Sequence, residues 1–357
     1  MRLTRIACRT FRRLSGVDFA PAPGVNVVSG ENAQGKTSLL EAVLYAATTK
    51  SHRTAQETEL PAHGGEGFHL RIEAERGGHS VDIEVNWWRG EKRFKINGVA
   101  QTRLSDILGR INVVLFVPDD AALVKGAASV RRRFLDMELS QISPPYLAAL
   151  QQYRQALRQR NELLRAANPA EDMIDLWDVQ LAKYGQTLSE ARAAFVEELS
   201  ALAGPLYAGI AGGEPMAAAY EPDVKPGDDI ASALARSRAA DLRQRMTTRG
   251  PHRDDLEIII DGRPARSFGS QGQQKTAVLA MKLAEVELVR RRTGEVPVLM
   301  LDEVLAELDP HRARRLFESI PADTQVLATT TRPELPAGVT GPEPALFRIH
   351  GGDLEPA

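Results

Sequence analysis

The chain has 357 residues and a formal net charge of −2 at neutral pH. That length buries a large core and predicts two or more lobes, and the near-zero charge excludes a protein held to nucleic acid by its overall field, so any such contact must come from local patches. Cys8 is the only cysteine, which excludes an intramolecular disulfide or a cysteine-rich metal site and favours a reducing, intracellular setting.

The N-terminal run MRLTRIACRTFRR is basic without an apolar signal core, and no apolar run approaches membrane-spanning length. A soluble, cytoplasmic protein is expected. Arginine supplies most of the basic residues, which suits fixed-geometry phosphate contacts and equally suits an arginine-rich proteome.

GVNVVSG (Gly24 to Gly30) is a short β-branched run, and TSLLEAVLYAAT (Thr37 to Thr48) reads as a helix with Leu39, Leu40, Val43, Leu44 and Ala47 on one face. Between them Gly30, Glu31, Asn32, Ala33, Gln34, Gly35, Lys36 and Thr37 satisfy G-x-x-x-x-G-K-[ST] in the required strand–loop–helix context. The glycines free the backbone N–H groups to curl around an anion, and the helix start adds its positive dipole end. Lys36 then suits the β- and γ-phosphates and Thr37 suits Mg²⁺. The bland alternative is a glycine turn with a polar tip.

Farther along, VDIEVNWWRGEKRFKINGVAQ (Val81 to Gln101) alternates like strands, with turn signals at Arg89-Gly90 and Asn97-Gly98. From Pro144 to about Ala203 helix formers take over. Tyr146, Leu150, Tyr153, Leu157 and Leu164 track a heptad seam interrupted by Arg160. Ile174, Trp177, Leu181, Tyr184, Leu188, Ala191 and Phe195 follow the ANPAED turn at spacings of three and four. Two helices of about 22 residues, each roughly 33 Å long, are predicted. They form either a short antiparallel arm or two ordinary packed helices. Residues 204 to 228 are rich in glycine, proline and alanine and say little, and Asp228 to Met246 reads as a returning helix. GPHRDD (Gly250 to Asp255) admits a metal or acid/base reading of His252, Asp254 and Asp255, or a packed loop with internal ion pairs. LEIIIDGRPARSF carries a hairpin signal at Asp261-Gly262.

Ser270 and Gly272 precede a long helix that carries Val278, Met281, Leu283, Val286 and Leu288 and ends at Arg290 to Gly294. A serine–glycine helix start is either a simple N-cap or a second anion site, and the phosphate loop already supplies one cradle. If it is a site, Ser270 completes a phosphate bound to another copy across a two-fold axis. VPVLMLDEVLAELDP (Val296 to Pro310) is a continuous apolar strand, buried on both faces, that ends in Asp302 and Glu303. Asp302 is assigned to the Mg²⁺ shell and Glu303 to the attacking water, the alternative being two acids that cap the next helix.

Phosphate loop, S-x-G-x-Q helix start, strand-Asp-Glu and AELDP (Ala306 to Pro310) stand in the order of ABC-type ATPases. More closely the chain resembles the RecF family, bacterial recombinational-repair ATPases related to SMC proteins. The resemblance spans nearly the whole length through FRRLSGVDFAPAPGVNVVSGENAQGKTSLLEA (Phe11 to Ala42), KSHR (Lys50 to Arg53), FVPDDAALVKGAASVRRRFLD (Phe116 to Asp136) and GPHRDDL (Gly250 to Leu256). It implies an α/β fold, an ABC-type P-loop ATPase head with mixed sheets plus an inserted helical, short coiled-coil-like arm. Residues 1–143 and 246–357 are expected to build the head and residues 144–245 the arm.

The resemblance further implies ATP and Mg²⁺ as cofactors, with Lys36, Asp302 and Glu303 catalytic and Thr37 and Asp302 holding the metal. It implies an ATP-driven homodimer that clamps DNA at single-strand/double-strand junctions without sequence preference. Recombinase loading in gap repair, replication and the SOS response, with RecO and RecR as partners and no membrane, belongs to the same expectation. Arg2, Arg5, Arg9, Arg12, Arg13, Arg131 to Arg133, Arg154, Arg158, Arg160 and Arg165 are candidate DNA contacts, each cluster equally readable as a solvated charged face. One departure stands out: where ABC ATPases place a histidine after the QVLATTT strand, this chain has Thr329, Thr330 and Thr331, which predicts a weak, DNA-stimulated ATPase that acts as a switch. The ATPase subunit of a membrane transporter and a small-molecule P-loop kinase are the alternatives.

Overall fold

The structure, a computed structural model, describes residues 1–167, 171–307, 310–331 and 343–357. Leu308 and Asp309 of the AELDP run, and Asn168 to Ala170 of the ANPAED turn, lie outside the described residues. Two compact units result: Met1–Asp120 with Leu279–Ala357, and Ala121–Val278.

The first unit contains two six-stranded sheets. One is antiparallel throughout, in the order Leu14–Phe19, Arg2–Phe11, Gly67–Arg76, His79–Trp88, Glu91–Ile96 and Val99–Gln101. Its alternation is clean: Ile83, Val85 and Trp87 face the core while Asp82, Glu84 and Asn86 do not. Arg89 and Gly90, and Asn97 and Gly98, all take positive φ, the geometry that two-residue hairpins need.

The other sheet runs Asp353–Pro356, Ala345–His350, Val25–Ser29, Val326–Thr330, Val298–Asp302 and Val113–Phe116. Four of its five pairings are parallel, and only the pair at the Asp353–Pro356 edge is antiparallel. Val298–Asp302 and Val326–Thr330 are buried at every residue, as strands covered on both faces must be.

Helix Lys36–Thr48 packs against strands of both sheets. The one-faced pattern expected for it is therefore incomplete. Ala42, Tyr45 and Ala46 are as buried as Leu39 and Val43, because a helix between two layers has no solvent side. Glu41 is buried with them and is neutralised by Arg12, which bonds it at 2.8 and 3.0 Å, so Arg12 serves the core rather than a solvated basic face.

The second unit holds helices Ala128–Ile142, Pro144–Arg165, Glu171–Ala211 and Ile230–Gln244 and a three-stranded sheet, Arg263–Pro264, Asp255–Ile260 and Met216–Glu221. The two longest helices are antiparallel: Tyr146 meets Arg192, Tyr153 lies against Gly185, and Arg160 pairs with Asp178. Their seam follows the heptad, but one position away from the expected one. Ile174, Leu181, Leu188 and Phe195 are buried as predicted, while the alternate positions are Asp178, Gly185, Arg192 and Leu199 rather than Trp177, Tyr184 and Ala191.

Arg160, expected to interrupt the seam, is instead buried within it. It is fully buried and bonded to Asp178 at 2.5 Å, Asp241 at 2.7 Å and Thr247 at 2.9 Å. The second helix also runs 41 residues, through Pro205, instead of ending near Ala203. Burial of Ala203, Tyr207 and Ile210 carries it across the residue that cannot donate its backbone bond.

Candidate nucleotide site

The phosphate loop joins the inner strand Val25–Ser29 to the buried helix, and two glycines act there for different reasons. Gly35 has φ +114°, a conformation L side chains rarely adopt, and serves as N-cap with no side chain bonded to the helix start. The first N–H groups of that helix consequently point into the loop, and no acidic residue occupies the first turn. Gly30 instead makes room for a neighbour, since a Cβ there would lie 2.5 Å from the carbonyl oxygen of Ile349. Ala33 adds a positive φ of 65°, and Gln34 accepts from Gly351 N–H at 2.7 Å, which ties the loop tip to the C-terminal hairpin.

Lys36 is buried, and its Nζ donates to the carbonyls of Gly30 and Glu31, both at 2.8 Å, and pairs with Glu303 Oε1 at 2.9 Å. Thr37 Oγ1 donates to Asp302 Oδ1 at 3.1 Å. Strand Val298–Asp302 delivers the two acids at its carboxyl end, where parallel sheets bind ligands. Glu303 then takes φ +54°, an uncommon conformation for a residue with a side chain.

Thr329 holds this pair. Its hydroxyl donates to Asp302 Oδ1 at 2.6 Å and accepts from Glu303 N–H at 3.0 Å, fully buried one strand away. The threonine found where a histidine was anticipated thus orients both acids. Lys36, Thr37, Asp302 and Glu303, predicted from two motifs about 265 residues apart, converge here.

A cavity of about 570 Å³ opens over the loop, lined by Asn32, Lys36 and Thr37 on one side and by Arg12, Arg53 and His63 on another. Sequence reasoning placed none of the last three in a nucleotide pocket. The signals available were the two family-like strings, FRRLSG for Arg12 and KSHR for Arg53. Beneath them Glu41 accepts from Arg12, from Ser51 Oγ at 2.5 Å and from Arg53 at 3.3 Å. Burial would push that carboxyl up, but the Arg12 and Ser51 bonds and the nearby guanidinium charges outweigh it and hold it below the ordinary carboxylate range.

Ser270 and Gly272 belong to the second unit. Ser270 is an exposed N-cap: its Oγ accepts from Gln273 N–H at 3.2 Å, and Gln273 Oε1 accepts from Ser270 N–H at 2.7 Å, a reciprocal capping box. Buried Gln274 fixes the preceding turn through the Ala265 and Gly269 carbonyls.

His252 is half-buried, with Nδ1 2.7 Å from the Tyr153 hydroxyl and Nε2 3.0 Å from the Thr247 carbonyl oxygen, and desolvation lowers its pKa. Asp254 pairs with Arg192 and Asp255 with Arg131, so GPHRDD is a packed loop whose ion pairs reach the neighbouring helices rather than staying within the loop. No group of three or more His, Cys, Asp and Glu able to hold a metal occurs among the described residues.

Two arginines singled out for nucleic acid are internal, Arg131 on Asp255 and Arg160 as above, while others lie at the surface in ion pairs: Arg5 with Asp18 and Glu73, Arg2 with Glu75 and Arg154 with Asp136. Arg9, Arg13, Arg133, Arg158 and Arg165 are exposed.

The family described as RecF/RecN/SMC N terminal domain matches residues 2–340. A DNA replication and repair protein RecF of Listeria monocytogenes serotype 4b is 40% identical over 346 residues, 93% of each chain. The chain belongs to the RecF family. A solved structure described as the recombination mediator protein RecF-ATP in the RecFOR pathway superposes with a TM-score of 0.91 at 31% identity, covering 100% of this chain and 97% of that one. An Smc head bound to the C-winged helix domain of ScpA follows at a TM-score of 0.59 and 15% identity, covering 100% and 97%, and shares the fold. RecF membership places the protein among the ABC/SMC-type ATPases and removes the transporter and small-molecule kinase readings. Among the described residues no helix is long and apolar enough to cross a membrane.

Proposed function

We propose that this RecF protein is a cytoplasmic, ATP-dependent DNA-binding ATPase of replication and repair. In this reading MgATP bound by Gly30 to Thr37 of one copy is completed by Ser270 and Gly272 of a second. The resulting homodimer clamps DNA at single-strand/double-strand junctions and helps load recombinase in gap repair and the SOS response, with RecO and RecR as partners. The RecFOR pathway of the matched RecF-ATP structure supports that partnership. DNA-stimulated, slow hydrolysis then releases the clamp.

One observation carries the chemistry: Thr37 and Thr329 hydroxyls both bond the same oxygen of Asp302, while Glu303 lies against Lys36. A hydroxyl and a carboxylate in contact at the start of a phosphate-binding helix fit the protein's share of a Mg²⁺ site. The metal would neutralise charge on the β- and γ-phosphate oxygens. Lys36 would hold those phosphates, and Glu303 would orient or deprotonate the attacking water from a backbone pinned by Thr329. Arg9, Arg13, Arg133, Arg158 and Arg165, exposed and of one sign, are the DNA-contact candidates this reading retains.

Sedimentation with and without MgATP and gapped DNA tests the proposal. Wild type is expected to dimerise on ATP, Lys36→Met to stay monomeric, and Ser270→Arg to bind ATP as a monomer without hydrolysing it. Loss of the serine cap costs only about 1 kcal/mol, so that variant remains folded. Normal hydrolysis by Ser270→Arg would refute the shared site.

A further inference from the structure

A cavity of the second unit lies outside every nucleotide motif in the sequence. It has a volume of about 700 Å³ and sits between helix Glu171–Ala211, edge strand Met216–Glu221 and the segment that follows that strand. The groove is a wedge. Helix and strand are joined at one end, where Ser200 Oγ accepts from Ala218 N–H at 2.9 Å and Gly204 leaves room for the Met216 carbonyl. Tyr220 and Val224 line it as well.

Its floor is small and apolar, with Ala193, Val196, Ala201, Ala218, Val224 and Pro226. Its rim is not. Glu190, Glu197 and Asp228 line it against Lys225, three negative charges to one positive, a local net of −2. Lys225 is itself paired with Glu221 at 3.4 Å. Glu190 bonds only the amide of Gln186, and neither Glu190 nor Glu197 meets a cation among the described residues.

The GPHRDD loop lies outside the groove and anchors the segment that walls it. Asp254 accepts from the Tyr220 hydroxyl, from Arg192 at 2.9 Å and from Asp223 N–H at 2.9 Å. Asp223 in turn accepts from Gly250 N–H at 2.8 Å. The strap from Pro222 to Asp229 is thus tied at its root to a buried charge network, and Pro222 and Pro226 limit its backbone. A wall held that way stays open without a ligand, which lowers the ordering cost of binding.

We propose that this groove docks a basic segment of a partner protein, one that places an aliphatic side chain on the alanine floor and lysine or arginine beside Glu190 and Glu197. Charge decides against nucleic acid here, because a phosphate backbone entering the wedge would face Glu190 and Glu197, Asp228 being paired with Arg236 at 3.7 Å. Helix residues Gln186 to Ala201 span about 22 Å at 1.5 Å per residue, room for six or seven extended residues.

The test uses the full chain and a fluorescein-labelled heptapeptide that alternates arginine, leucine and alanine, with a glutamate-for-arginine counterpart. Fluorescence anisotropy is expected to report binding of the basic peptide and none of the acidic one. Ala193→Trp, which fills the floor, and Glu190→Lys with Glu197→Lys, which reverses the rim, are each expected to weaken it at least tenfold. All three residues are exposed on the helix, and ATP hydrolysis and DNA binding are expected to stay at wild-type levels, which also separates this inference from the proposed ATPase function. No binding of the basic peptide at about 1 mM, the edge of specific affinity, would overturn the proposal. So would equal binding of both peptides, or binding unaffected by the substitutions.

Discussion

A methyl group at Gly30 would lie 2.5 Å from the carbonyl oxygen of Ile349 and 2.9 Å from its Cγ2. That carbonyl belongs to a strand paired through Phe347 and Arg348 to the strand that launches the loop, so it cannot withdraw without breaking a ladder. Gly30→Ala is expected to destabilise the protein by about 1–3 kcal/mol in urea unfolding and to weaken ATP binding with it. Gly24→Ala, where nothing lies within 4 Å, serves as the matched control and should leave both unchanged. Thr329 invites a second substitution. Valine has nearly the same shape but cannot donate to Asp302, and it leaves Glu303 N–H only its 3.2 Å bond to the residue-329 carbonyl, so Thr329→Val removes a buried hydrogen bond to a carboxylate at a cost of about 1.5–3 kcal/mol. ATP turnover should fall while ATP binding persists, and Thr329→Ser should restore turnover. A valine variant with full turnover would deny the residue its orienting role.

Among the elements, helix Lys36–Thr48 pairs the most local part of the site with the most hidden ion pair. Glu41 has a folded pKa below its ordinary value of 4.5 because Arg12, Ser51 and Arg53 together outweigh its burial. A depressed carboxyl contributes its full stability above the unfolded value and loses it as pH falls through the folded one. Urea midpoints should therefore decline below about pH 4.5, and Glu41→Gln should flatten that decline. At neutral pH the same variant should be less stable by about 3 kcal/mol, since Arg12 keeps its charge without its partner.

Strand, loop and helix around this site were legible because each is a local pattern: β-branched run, glycines, helix formers. The antiparallel helices were legible in period but not in register. A rule that reads aspartate and arginine as surface residues skips Asp178, Arg160 and Arg192, which are buried because each meets its opposite charge. The pairing of Arg12 with Glu41 was hidden for the same reason, and so was its distinction from the exposed Arg13.

At the scale of the whole molecule, the site is assembled from chain segments near both ends, and one contact links them most directly. Lys36 Nζ and Glu303 Oε1 are 2.9 Å apart, so a phosphate held by Lys36 competes with Glu303 for the same ammonium. ATP can shift an equilibrium between free and clamped forms only through contacts that differ between them. Removing the charge of Glu303 while preserving its shape separates the two roles proposed for it. Glu303→Gln keeps a carbonyl acceptor for Lys36 and the backbone bonds to Thr329, so the strand end stays intact and ATP still binds. What is lost is the base, which is worth on the order of 10²–10⁴ in rate. Turnover should fall by at least about a hundredfold while ATP-bound dimers accumulate on gapped DNA, as read by light scattering and a single-turnover phosphate assay. If hydrolysis continues at the wild-type rate, the base lies elsewhere. If hydrolysis stops but no dimers accumulate, release from DNA is not what hydrolysis drives.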